Sequence, residues 1–544
     1  MVIGPDKNIK IKYNNLEIPL TKAHKFLGVV VDDKLKFDQH IAYISKNALK
    51  AINALRCLTG VFWGADPKIL ATLYKSLVRS HFDYSCLAYI NACQTQLKKL
   101  DVIQNIGLRI IVGAMKSTPI NALEAETCIP PLTLRRLQLA QNFCIKELSA
   151  NNKLVISNLI LPPQLYQNLD DNVVSVNNVN NRQLPELCTL MSSIHKNFVN
   201  MYICNDNLWS LYKCEYEALT NTAYKINIPN LKDNLDYLQF ISNKQDYYKI
   251  FTDGSKTKDF VRCGWYDSQL KCKQVMNLDC NASIFTAEAY AILQALLYIK
   301  NVNNVLYNNF LVISDSKSVL LSIEGQRLDY KLSHIIYSIK NILYELHISG
   351  KHIEFLWVPS HRGIAGNEAI DRALAHATGL DTDHSDKLKL PFTDFYYVSK
   401  QQLKMLWSKY WASVNQEKGR WYADIQKSLP IKPWYSREQC ESRKYITTIS
   451  RLRFGHCLVP THLCRLKIVN NDNCPYCESP KADLDHIFFS CQKFGLQRLA
   501  MVCDIQDIAE KEKLRVPRRL QEILSFPCFY RTIYEYVQCT VEKL

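Results

Sequence analysis

The sequence predicts a multi-domain α+β chain, in which an α/β segment with a mixed sheet and flanking helices lies between mainly helical flanking regions. Three observations carry this. Residues 248–378 alternate apolar β runs with an Ala- and Leu-rich helical stretch, residues 38–149 repeat apolar positions near a period of 3.6, and helical patterning returns after residue 379. A chain of 544 residues has room for about three or four domains, and 47% hydrophobic residues are enough for several cores.

Residues 1–150 open on Lys25-Phe-Leu-Gly-Val-Val-Val-Asp, expected as a buried strand followed by a turn. Helices are expected over 38–59, 66–92, 95–113 and 132–149. Residues 151–247 are Asn-rich, with Pro162-Pro163 and a polar run from Asp170 to Asn181, and read as a linker with some short elements. Nothing in that stretch suggests a site.

The α/β segment, 248–378, holds four notable carboxylates. Tyr248, Ile250 and Phe251 lead to Asp253 and then Gly254-Ser255, a strand running into a turn with Asp253 at its lip. Thr286 is the expected N-cap of a helix from Ala287 to Tyr298, with Glu288 in its first turn. Phe310 to Ser314 reads as a buried strand that delivers Asp315. Strand, crossover helix and strand make a βαβ unit with parallel neighbours, which sets Asp253 beside Asp315. Another buried strand, Ile353 to Val358, and a loop over 359–366 precede a short helix starting near Gly366-Asn367, which can lay Asp371 over the strand ends. Singly, each Asp is an ordinary turn or cap residue. Converging without Cys or His, the four suit a hard cation such as Mg²⁺.

Residues 379–544 interleave Trp407, Trp411, Trp421 and Trp434 with Lys and Arg. Such aromatics either stack on bases or form a helical core face, and the spacing favours the core. Cys474-Pro-Tyr-Cys477, His486 and Cys491 follow as C-x2-C-x8-H-x4-C. A tight Cys-x-x-Cys turn with His486 and Cys491 about one helical turn apart can close a tetrahedron around a structural Zn²⁺. His456, Cys457, His462 and Cys464 lie close enough in sequence to substitute for a ligand.

Net charge is +16, and Lys+Arg minus Asp+Glu gives 20 − 11 = +9 for 1–150, 7 − 9 = −2 for 151–247, 14 − 12 = +2 for 248–378 and 26 − 19 = +7 for 379–544. The basic flanks are therefore the candidates for holding a polyanion. No apolar run approaches the roughly 18 residues that span a bilayer, and no secretory signal is visible at the start. These features point to an intracellular protein without a membrane partner, and leave nucleus and cytoplasm undistinguished. The 20 cysteines then read as reduced thiols outside any metal cluster.

Asp253-Gly-Ser, Thr286-Ala-Glu288, Ser314-Asp315-Ser, Trp357-Val-Pro-Ser-His361 and Gly366-Asn-Glu-Ala-Ile-Asp371 together resemble the type 1 ribonuclease H family. The resemblance implies Asp253, Glu288, Asp315 and Asp371 as catalytic acids binding two Mg²⁺ or Mn²⁺ ions, with His361 assisting proton transfer or product release. It implies an RNA:DNA hybrid as substrate. The basic loop that some relatives carry before residues 331–347 is not expected. Phe26-Leu-Gly-Val with Asp32-Asp-Lys-Leu and His40-Ile resembles the segment just after the polymerase site of non-LTR retrotransposon reverse transcriptases, and Arg451-Leu-Arg-Phe-Gly-His456 with the cysteine cluster resembles their C-terminal tail. The order is that of a Jockey- or I-type polyprotein, with 1–150 as a thumb remnant and a zinc cluster at 474–491. Asp32-Asp33 follows only 31 residues, so polymerase activity is not expected. The alternative is a catalytically inactive nucleic-acid-binding remnant, and a third possibility is an assembly protein of a mobile element.

Overall fold

The computed structural model describes residues 12–151 except 15, then 155, 201–203, 224–229, 234–301, 307–325, 333–377, 388–414, 417–436, 442–477 and 479–540. The chain divides into two compact units, one of residues 140–401 and one of residues 1–139 with 402–544. Most of the linker and the whole 326–332 stretch lie outside the described residues.

The 140–401 unit is built on one six-stranded mixed sheet. Its strands are β1 (Tyr224–Asn227), β2 (Tyr248–Lys256), β3 (Val261–Asp267), β4 (Lys273–Leu278), β5 (Asn309–Ser314) and β6 (His352–Trp357), in the spatial order β1-β6-β5-β2-β3-β4. β1, β6, β5 and β2 run parallel, and β3 and β4 continue antiparallel from β2. The helices are α1 (Asn234–Ser242), α2 (Ile284–Asn301), α3 (Lys317–Glu324), α4 (His334–Ile348) and α5 (Ala365–His376), followed by α6 (Phe392–Val414), which continues into the other unit. Ala287, Ala291 and Ala295 on α2 are fully buried, and such small side chains let the helix lie close to the sheet.

The expected βαβ unit is present, since β2 and β5 pair in parallel with α2 between them in sequence. Three details differ. β2 does not stop at Asp253 but runs on to Lys256, because residues 254–256 pair with β3 after the parallel pairing with β5 has ended. Thr286 lies within α2 rather than capping it; the cap is Ser283, whose Oγ accepts from Thr286 N at 3.1 Å. Within the stretch read as linker, β1 forms an edge strand and α1 packs Tyr237 against the sheet.

In the other unit, the predicted strand at Lys25 is a hairpin of Ala23–Phe26 and Val29–Asp32, turned at Leu27-Gly28 and mostly unburied. Asp32 is a turn residue, accepting from the amides of Lys34, Lys36 and Phe37 at 3.1, 3.1 and 2.7 Å. Helices Asp38–Cys57, Gln94–Val112 and Leu132–Ser149 match the expected spans, while 66–92 breaks into shorter pieces with a π turn over Tyr74–Arg79. One core joins Ile41, Leu55 and Leu108 from the N-terminal helices with Trp411, Ile449, Phe488 and Ile533 from the C-terminal ones.

The four tryptophans after residue 379 are core or core-edge residues. Trp407 and Trp411 are buried, Trp421 Nε1 donates to Leu452 O at 2.9 Å, and Trp434 Nε1 donates to Glu126 Oε1 at 2.6 Å. Several arginines are also used internally. Arg443 caps the end of helix Gln94–Val112 by donating to Ile110 O at 2.6 Å and Ile111 O at 3.0 Å. Arg453 is paired with Glu126 at 3.2 Å, with both side chains almost wholly buried. Positive charge in the flanks is thus partly structural. Among the described residues no helix is long and apolar enough to cross a membrane.

Candidate active site and metal centres

Register places the first carboxylates. The parallel pairing of β2 with β5 ends at Thr252 opposite Ser314, so Asp253 and Asp315 are the next residues on adjacent strands. The Asp315 main chain is pinned by Trp357, whose Nε1 donates to Asp315 O at 3.0 Å. Glu288 arrives from α2, and Gly254 makes that approach possible: a Cβ there would lie 2.7 Å from Glu288 N. Oxygens of Asp253, Glu288 and Asp315 all lie within 4.8 Å of one another.

Asp371 is not part of that tight triplet. It stands on α5, whose start is pressed so closely on β2 that a Cβ at Gly366 would collide with the Phe251 ring. Asp371 Oδ2 is 3.1 Å from His361 Nδ1, and His361 is exposed on its loop with φ of 52°. On the same helix, Arg372 and His376 line a cleft of about 670 Å³ with Lys273 of β4.

The triplet is electrostatically loaded. Burial, followed by the charges of Asp315 and Asp371, pushes the Asp253 carboxyl up to about 8. Burial, then Asp253 and Asp315, holds Glu288 well above the usual carboxylate range. Glu288 Oε2 and Asp315 Oδ1 are buried with no hydrogen-bond partner. Unsatisfied oxygens beside two further carboxylates fit a divalent cation, since an oxygen-only donor set is the one that Mg²⁺ and Mn²⁺ take.

Residues 245–379 match the RNase H family. This segment is an RNase H domain. A curated relative, "Probable RNA-directed DNA polymerase from transposon X-element" of Drosophila melanogaster, is 27% identical over 96 residues, which is 18% of this chain and 11% of that protein. Together the two findings support a retrotransposon-derived chain with a ribonuclease H-like function. The chain covers only that small share of the relative's length.

Beyond the RNase H domain, Cys474, Cys477, His486 and Cys491 converge, with one ligand atom from each lying within 4.8 Å of the others. Cys474 Sγ is 3.9 Å from Cys491 Sγ, and Cys477 Sγ is 3.3 Å from His486 Nε2. A regular α-helix would turn residues five apart away from each other by about 140°. Here His486–Ser490 is a π turn in which Cys491 N donates to His486 O at 2.7 Å, returning both side chains to one face. Asp483 Oδ1 accepts from His486 N at 2.8 Å and fixes the start of that turn. The Ser479 amide lowers the Cys477 thiol below its ordinary range, which favours the thiolate. His456, Cys457, His462 and Cys464 are not in the group. His456 Nδ1 and His462 Nε2 instead share Ser117 Oγ at 2.9 and 3.0 Å.

The spacing role of Gly254 and the capping role of Ser283 at α2 were not legible in the sequence. The Asp-Gly pair at 253–254 held the first signal; the second needed the helix start two residues before Thr286.

Proposed function

We propose that the RNase H domain is a metal-dependent endonuclease that cuts the RNA strand of an RNA:DNA hybrid and leaves a 3′-hydroxyl and a 5′-phosphate. The observation that carries this is the clustering of Asp253, Glu288 and Asp315 with buried oxygens that have no hydrogen-bond partner. In this reading Asp253, Glu288 and Asp315 hold two Mg²⁺ or Mn²⁺ ions, and Asp371 completes the ligand set from α5. When bound, the ions supply activation of the attacking water and stabilisation of the leaving oxygen. His361, in contact with Asp371 and open to solvent, carries protons to or from the departing product. Lys273 and Arg372 in the cleft offer positive charge to phosphates of the duplex. A minor groove with 2′-hydroxyls on one strand only is what distinguishes the hybrid.

The cysteine cluster is proposed to hold one Zn²⁺. Four N and S donors leave no open position, so its role is structural.

The test is incubation of the full chain with Mg²⁺ and a hybrid labelled on each strand, beside RNA:RNA and DNA:DNA duplexes. Shortening of the hybrid's RNA strand alone is expected. Tight, salt-sensitive binding with no cutting would favour a non-catalytic nucleic-acid-binding remnant instead.

A further inference from the structure

Two of the clustered carboxylates are fixed by sheet register, but Glu288 is carried by a helix and depends on how α2 is seated. Its seat is built partly from outside the matched domain. Ser283 N donates to Asp394 Oδ2 at 3.0 Å, and Ser283 Oγ donates to Thr286 Oγ1 at 3.1 Å, which leaves the Thr286 hydroxyl proton for the Asp394 carboxyl. Asp394 lies in the first turn of α6 and is 4% exposed. Burial raises its carboxyl above the ordinary range, and the bonds from Ser283 and Thr286 oppose that rise.

A second contact comes from the same helix. Lys256, the last residue of β2, donates to Cys280 O at 3.3 Å and Ala282 O at 2.5 Å, and its Nζ lies 5.3 Å from the centre of the Tyr397 ring. The loop leading from β4 into α2 is therefore gripped by the strand that bears Asp253 and by the start of α6. Glu288 follows Ser283 by little more than one helical turn, so a slip at Ser283 is transmitted to it.

We propose that Asp394 is a positioning residue for the carboxylate site: its bonds to Ser283 and Thr286 set the rotation and axial position of α2, and through them the placement of Glu288 against Asp253 and Asp315. This rests on the cation-binding role proposed above. Asp394 itself touches neither substrate nor cation. It lies beyond residue 379, so the segment 388–401 completes a site whose ligands all precede it.

The test is calorimetric titration of the full chain with Mg²⁺ in the absence of substrate, alongside single-turnover hybrid cleavage. Asp394→Ala is expected to weaken Mg²⁺ binding by about tenfold or more, the usual effect of losing a group that orients a ligand, with the chain concentration that half-saturates the single-turnover rate unchanged. Asp394→Asn keeps an acceptor oxygen and should restore affinity to within about threefold of the parent. Thr286→Val, which removes one bond and conserves shape, should cause a smaller loss in the same direction, and it decides the matter if the alanine variant does not fold. Wild-type Mg²⁺ affinity in Asp394→Ala, or in Thr286→Val where only that variant folds, would overturn the proposal. A parent chain that binds Mg²⁺ yet leaves hybrid uncut would overturn the catalytic reading alone.

Discussion

Asp315→Asn should reduce cleavage of the hybrid's RNA strand by about a thousandfold or more while leaving hybrid binding in Ca²⁺ close to that of the parent chain. The substitution removes the negative charge while conserving shape, at a position fixed by its neighbours: Trp357 holds the Asp315 main chain and strand register holds it beside Asp253. Single-turnover rates in Mg²⁺ and equilibrium binding in Ca²⁺ measure the two effects separately. Equal loss of both would sink the assigned role.

The same variant should change how stability responds to pH. In the cation-free chain burial and the charges of Asp315 and Asp371 push the Asp253 carboxyl up to about 8 from an ordinary 3.8, so the folded state keeps a proton that the unfolded state releases. The stability it contributes is complete below about pH 4 and is lost as pH rises towards 8. Asp315 is the largest charge behind that shift, after burial. Asp315→Asn should therefore flatten the decline between pH 4 and 8, and Mg²⁺ should do so in the parent. Thermal melts across that range without divalent cations would show a parallel decline in both chains if the cluster were not coupled.

Cys477→Ser should release about one equivalent of zinc per chain and destabilise the unit of residues 1–139 and 402–544. Cys474 and Cys491 lie in that unit's core with Leu484, Ile487 and Phe488, so the ligand turn and the core are one structure. Structural zinc sites contribute on the order of 10 kcal/mol of apparent binding free energy, most of which reads out as folding. Elemental analysis gives the metal content, and melting with 1,10-phenanthroline, which spares Mg²⁺, gives the stability. Unchanged zinc content in the variant would refute the ligand assignment.

The order of β2, α2, β5, β6 and α5 could be read from sequence because each shows an apolar run of the right period beside a turn signal. The antiparallel strands β3 and β4 were not read, since Val261–Asp267 mixes Arg, Cys, Gly and Trp and carries no clean alternation. Asp253, Glu288 and Asp315 were legible through the apolar strand runs and the helix start that they follow, although β2 runs on to Lys256 and α2 begins at Ile284, which puts Glu288 past its first turn. Asp371 and His361 lie close to each other, but outside the tight triplet, because α5 sets its own distance from the sheet through Gly366 and Phe251. The shared core of the two helical flanks was not legible, because apolar periodicity reports a buried face without naming what buries it. The basic flanks read as polyanion contacts for a related reason: sequence shows their charge but not that Arg443 is spent on a helix end and Arg453 on Glu126.

If the carboxylate cluster uses divalent cations to direct water onto a phosphodiester, single-turnover cleavage of labelled hybrid over a Mg²⁺ titration, with the product ends identified, will show it. The rate should rise with close to second order in Mg²⁺ at low concentration, and the products should bear 3′-hydroxyl and 5′-phosphate ends. Cleavage that persists without divalent cations, or that leaves 2′,3′-cyclic phosphate, would contradict it.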